Sequence, residues 1–412
     1  MLSRRALLGA GALGAATFAR PARASVSAED LKFVFVVIFR GWDVTRVYAP
    51  EFDNPVVAME ADAEATTVGD LTWVDHPDRP SVSEFFQTWG SRSVIVNGIE
   101  NPSLSHVECL RRVMTGFSAS TSEDWPARIA YAARDRYPLP HVVVNGPNYP
   151  GSHGGYVTRI GATAWVEELL DASLLERDDA GVRALTTAGR SAVDAAVKRL
   201  SHWRHQAALT NRDRQLTRAH TTSLSRLATL ESRAGDLSWP DSTGMDDQTA
   251  LAVDLLAQDL SRCITVAHDF SEWDSHADND DRQSSMFGDL YTRLGTLMTR
   301  LSETAGPAGG TLADETVVVV LSEMGRTPYL NGGDGKDHWP HTSALLVGPN
   351  LAGGRVVGGF DELFTGSPID FTTGEVTKSG ELMGMPELGA TLLELAGVEQ
   401  DDLGEVVRGI LA

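Results

Sequence analysis

The run from Leu31 to Phe39, Leu-Lys-Phe-Val-Phe-Val-Val-Ile-Phe, constrains the fold more than any other segment. It is continuous, β-branched and aromatic, with no alternation of polar and apolar residues. A bilayer span needs about 20 apolar residues, so the run is too short to cross a membrane. A short strand of this kind must bury both of its faces, which is the habit of parallel sheets covered by helices. Four more runs read the same way: Ser93 to Gly98, His141 to Gly146, Thr316 to Leu321 and Ser343 to Gly348. Helical patterns lie between several of them. The expected class is α/β, a mostly parallel sheet sandwiched between helices.

Residues from about 188 to 234 carry little strand character. Arg204, Arg212, Arg214, Arg218 and Arg226 recur there. They predict a helical insertion outside the sheet, a long amphipathic hairpin or bent helix. A solvated face outweighs an anion-binding face as the reading of its charges. His202 and His205 read as surface residues. Further helices are expected near Gln248–His268, Arg282–Glu303 and Met385–Val398. With no Pro/Ser linker and no internal repeat, residues 25–412 read as one domain. Cys109 and Cys263, the two cysteines, both sit in helical patterns. Buried free thiols are the default, with one disulfide left open. No CxxC spacing supports a cysteine metal site.

The first 24 residues read as a targeting segment. Ser3-Arg4-Arg5-Ala6-Leu7-Leu8 is a twin-arginine start. A Gly/Ala/Leu stretch follows, and Ala22-Arg23-Ala24 is a small-x-small cleavage signal before Ser25. The expectation is export by the twin-arginine translocase to the periplasm or the exterior, with no stable membrane span. Changing Arg4 and Arg5 to Lys is expected to trap the precursor inside the cell. Normal export of that variant, followed by fractionation, would argue against the route. The full chain carries a net charge of −21, and removing four arginines with the leader makes it more negative. Such a surface does not bind nucleic acid without a basic patch.

The polar residues that follow the strands suggest a divalent metal site. Ligands of open α/β sheets collect at the carboxyl ends of the strands. Asp43 follows the first run by a Gly turn, with an Asx-turn or helix cap as the plain alternative. Glu323 ends the Thr316 run and must be solvated, paired or metal-bound; a salt bridge to Arg326 is its plain alternative. Asp274 and His276 share one loop. Asp337, His338 and His341 share another, where Pro340 disfavours a regular helix. This mixture of carboxylates and imidazoles suits one divalent ion or a pair. Zinc is the first choice because imidazoles are present. Calcium, magnesium or manganese follow if few histidines face the site. Arg40 and Arg326 can hold an anionic group or neutralise these carboxylates.

Several motifs together resemble the exported family DUF1501. They are Glu323-x-Gly325-Arg326-Thr327-Pro328, then Asn331, Gly335-Lys336-Asp337-His338-Trp339 and a strand ending at Gly348. Arg40-Gly41-Trp42-Asp43, His76-Pro77, Ser105-His106 before Thr115-Gly116, and Asp274-Ser275-His276 agree in order. That family is similar to the alkaline phosphatase and sulfatase superfamily. The resemblance implies an alkaline-phosphatase-like sheet and a two-metal site. In it Asp43 matches the first Asp, Asp274 and His276 the middle pair, Glu323 the strand-end Asp, Asp337 and His338 the later pair, and His341 the final His. Counting back from Thr115-Gly116 puts the nucleophile position on His106, with Ser105 one residue earlier. Either Ser105 is the nucleophile, or His106 is a ligand and a metal-activated water attacks. The implied function is an exported metal-dependent hydrolase of small anionic phosphate or sulfate esters. The alternative is a non-catalytic metal-binding or assembly protein on the same fold.

Overall fold

A computed structural model describes residues 26–161, 187–240, 242–400 and 402–412. The expected leader, residues 1–24, lies outside the described residues. The strands in chain order are β1 Lys32–Ile38, β2 Glu64–Val68, β3 Leu71–Asp75, β4 Ser93–Glu100, β5 His141–Val143 and β6 Val157–Arg159. They continue as β7 Cys263–His268, β8 Thr316–Ser322, β9 Gly325–Arg326, β10 His338–Trp339, β11 His341–Val347 and β12 Arg355–Gly358. Eight of them form one sheet in the order β12-β4-β11-β8-β1-β7-β5-β6. Its pairings are parallel except those of β11, which runs against β4 and β8. The chain is therefore a mixed α/β protein with a large, mostly parallel sheet. All five expected runs are in that sheet.

Both faces of the sheet are dry, which explains why its strands show no polar alternation. Successive residues of β1 point to opposite faces. Val34, Val36 and Ile38 enter one apolar cluster, and Phe33, Phe35 and Val37 enter the other. The first cluster is closed by Val82, Leu251, Phe287 and Leu290, from helices Pro80–Trp89, Met245–Ala257 and Asn279–Glu303. The second is closed by Val113, Ile129 and Leu388, from helices His106–Thr115, Trp125–Ala132 and Met385–Leu395.

One expected helix is shorter than its sequence pattern. The segment from Gln248 does not run as helix to His268. It ends at Ala257, Asp259 turns at φ 54°, and Cys263–His268 is a strand beside β1. Cys263 is therefore a strand residue rather than a helical one. Ile264, Thr265 and Val266 are β-branched, and their pairing with β1 and β5 overrides the helical spacing. Cys109 is on a helix as expected, and both thiols are free and buried. Burial pushes the Cys109 thiol up to about 11.

Helices Thr187–Ala207 and Asn211–Glu231 pack against each other. Thr210 and Asp213 form a capping box at the start of the second. Their described side chains are exposed almost throughout, Trp203 and Leu216 among them. No helix of the described residues is long and apolar enough to cross a membrane.

Candidate metal site

The register brings five chain segments to one edge of the sheet. Ile38 of β1 is level with His268 of β7 and with Ser322 of β8, and Glu100 of β4 is level with His341 of β11. Arg40, Asp269 and Glu323 thus leave the sheet side by side. The turn after β1 is tight. Gly41 holds φ 86°, and a Cβ there would lie 2.7 Å from Met324 Cγ, so only glycine fits. Arg40 holds φ 74°, uncommon for a residue with a side chain. Its N–H donates to Glu323 Oε1 at 3.0 Å.

His106, Asp274 and His338 converge above this edge. Each offers one ligand atom, and these atoms lie within 4.8 Å of one another. His106 is the first residue of its helix, so its ring stands at a helix N-terminus. Its Nδ1 bonds Glu323 Oε1, and its Nε2 lies 3.7 Å from Asp274 Oδ2. His338 Nδ1 donates to the Leu104 carbonyl at 2.8 Å, which leaves Nε2 with a lone pair 3.4 Å from Asp274 Oδ1. Burial, with Arg326 and His106 nearby, holds the His338 ring below its ordinary pKa. Burial alone would raise Asp274, but the Arg326 guanidinium at 2.7 Å outweighs it and holds this carboxyl below the usual range.

His276 and Asp337 flank this trio. His276 Nε2 is 3.1 Å from Asp274 Oδ1 and 3.1 Å from His338 Nε2. Its Nδ1 is 2.8 Å from Asp337 Oδ1, and that hydrogen bond lowers the Asp337 carboxyl. Both residues are exposed. Gly335 holds the two loops together, since a Cβ there would meet the His276 carbonyl at 2.0 Å.

The remaining expected residues stand elsewhere. Asp43 is buried and engaged by Lys336 and Arg46, outside the trio. Burial would raise it, yet the two cations hold it far below the usual carboxylate range. His341 opens β11, where its Nδ1 accepts from the Gly366 N–H at 3.2 Å, away from the trio. Ser105 is exposed, precedes the helix as its cap residue and makes no side-chain cap hydrogen bond. Arg326 is buried and spends its guanidinium on the carbonyls of Arg40, Gly41, Trp273 and Lys336 as well as on Asp274. Arg40 is half-exposed and paired with Asp269.

Sequence reasoning gave no role to Asn101, Gln283 or Lys336. Asn101 Nδ2 donates to the Glu323 carbonyl at 2.7 Å and to the Cys109 carbonyl at 3.1 Å, joining the His106 helix to the end of β8. Gln283 accepts from the Asp43 N–H at 2.8 Å and donates to the Trp273 carbonyl at 2.9 Å. Lys336 had a usable signal, because it stands inside the Gly335-to-Trp339 motif. Asn101 had only its place after a strand.

Fold and site together define an α/β protein whose sheet edge gathers two imidazoles and a carboxylate into a space the size of a metal ion. The sequence profile of DUF1501, described as a protein of unknown function, matches residues 111–404, and the chain belongs to that family. No curated protein matches the sequence. Several solved structures are similar at low identity. The lipoteichoic acid synthase LtaP from Listeria monocytogenes is 8% identical, with TM-score 0.42, over 93% of this chain and 76% of that one. The C-terminal periplasmic domain of EcEptC from Escherichia coli, in complex with Zn, is 9% identical, with TM-score 0.40, over 92% and 86%. A phosphonate monoester hydrolase from Silicibacter pomeroyi is 11% identical, with TM-score 0.38, over 92% and 76%. Likeness at this level transfers no chemistry to this chain.

Proposed function

We propose that this chain is an exported metal-dependent hydrolase of small anionic phosphate or sulfate esters. The convergence of His106, Asp274 and His338 carries the reading. The donor set fits a divalent ion: two imidazoles and one carboxylate are one of the three-ligand sets that hold a catalytic zinc. The tautomer of His338 is fixed by Leu104, and Glu323 orients His106, as partners behind metal-bound histidines do. When bound, the ion would polarise the ester and lower the pKa of a water molecule.

The chain's own groups complete the arrangement. The N-terminal amides of the His106–Thr115 helix favour an anion beside the trio. Arg40 stands nearby on a half-exposed pair that an anionic ester can contest. His276, oriented by Asp337, holds Nε2 where it can exchange a proton with a leaving oxygen. In this reading water attacks rather than Ser105. The Ser105 side chain makes no cap hydrogen bond that would fix its hydroxyl, which also gives the non-catalytic alternative its footing.

The test is elemental analysis of the purified protein, followed by turnover of phosphate, phosphodiester and sulfate esters. A bound divalent ion, turnover lost on chelation and restored by zinc, and near-normal turnover in Ser105→Ala are expected. Metal without turnover on any ester would favour the non-catalytic alternative. No metal, and no loss of thermal stability on chelation, would sink the metal reading.

A further inference from the structure

The resemblance implies two metal ions with Asp43 among their ligands, and the surroundings of Asp43 do not fit that. Asp43 Oδ2 lies 2.8 Å from Lys336 Nζ, 3.4 Å from Arg46 Nε and 2.9 Å from Asn279 Nδ2. Oδ1 accepts from the Thr45 N–H at 3.1 Å and from the Thr45 hydroxyl at 2.7 Å. An ionised carboxylate has about four lone-pair sites, and four donors already address them, with the Arg46 guanidinium close by as a second positive charge. Asp43, Thr45, Arg46, Asn279 and Lys336 are all fully buried, so water does not screen these charges. A divalent ion on Asp43 would sit within contact distance of an ammonium and a guanidinium, where like-charge repulsion is strongest.

We propose that the Lys336 ammonium takes the place of a second metal ion. The site then holds one ion, on His106, Asp274 and His338, and Asp43 is an internal counter-charge. This rests on the metal reading above. Lys336 directly precedes Asp337 and His338, and its carbonyl accepts from Arg326 Nη1 at 3.2 Å. The Asp43–Lys336 pair therefore fastens the loop that carries His338 to the end of β1. Lys336 is a positioning residue that acts through His338. Arg46 does not depend on Asp43 alone, because it also reaches Asp280 at 2.6 Å and Glu60 at 3.9 Å.

Zinc stoichiometry of the full-length protein, measured after saturation and gel filtration, tests the proposal. One zinc per chain is expected, and two would overturn it while leaving the metal reading intact. No zinc would overturn both. Lys336→Met is expected to lower the thermal midpoint and to weaken zinc binding about 10- to 100-fold, the scale for groups that orient ligands. Adding Asp43→Asn removes the stranded charge. The double variant is expected to regain the thermal midpoint and to bind one zinc, and it carries the test if Lys336→Met does not fold. A folded double variant that binds no zinc would make Asp43 a ligand and overturn the proposal.

Discussion

Replacing His338 with alanine is expected to release the metal ion and to cut ester turnover by about two to three orders of magnitude, the scale for removing a group that stabilises developing charge. In the proposed site His338 offers the ligand atom whose state is best defined, since its Nδ1 proton is committed to the Leu104 carbonyl at 2.8 Å. The side chain is only partly buried, so its removal leaves the folded core untouched and the loss can be read as chemistry. Glu323→Gln tests the same trio from behind. Glu323 is buried and accepts from His106 Nδ1 and the Arg40 N–H. An amide in its place orients the imidazole less firmly, and metal affinity is expected to fall about 10- to 100-fold. His341→Ala is the contrast, because its ring is bound to the Gly366 N–H instead of the trio. Metal titrations of the three variants decide the matter. Full affinity in His338→Ala, or loss of the ion in His341→Ala, would show that the trio is not the ligand set.

The sheet was legible because its strands are buried on both faces, and few other structures explain runs such as Thr316 to Leu321. β7 was not legible. Gln248 to His268 keeps a helical spacing of apolar residues, and nothing local announces that Asp259 turns the chain. That candidate ligands gather at this sheet edge was legible from polar residues that follow strands. The division of those residues was not. Asp43 and Asp274 are both acids in loops after strands, and sequence gave them the same role. They differ because Lys336 reaches Asp43 from a loop far along the chain, and a side chain's direction across that distance is set by tertiary packing. The same holds for His341, which is close to His338 in sequence but starts β11 and turns towards Gly366.

Arg326 is the sharpest case, and it yields the second large effect. Its type and position after a strand suit an anion clamp as well as a structural tie. The structure gives it five partners on three segments: the carbonyls of Arg40, Gly41, Trp273 and Lys336, and the carboxylate of Asp274. It is fully buried, so its guanidinium is not presented to a substrate. Arg326→Lys keeps the charge but loses the planar fork that serves several acceptors at once. Buried carbonyls would lose donors, and a single ammonium could not serve Asp274 and all four carbonyls at once. A loss of about 3 kcal/mol in unfolding free energy is expected, the scale for leaving buried acceptors without donors, and metal affinity should fall with it. Denaturant unfolding and Michaelis kinetics on the same variant separate the two roles. A raised KM with unchanged stability and unchanged metal affinity would make Arg326 a substrate clamp and remove it from the frame that holds Asp274.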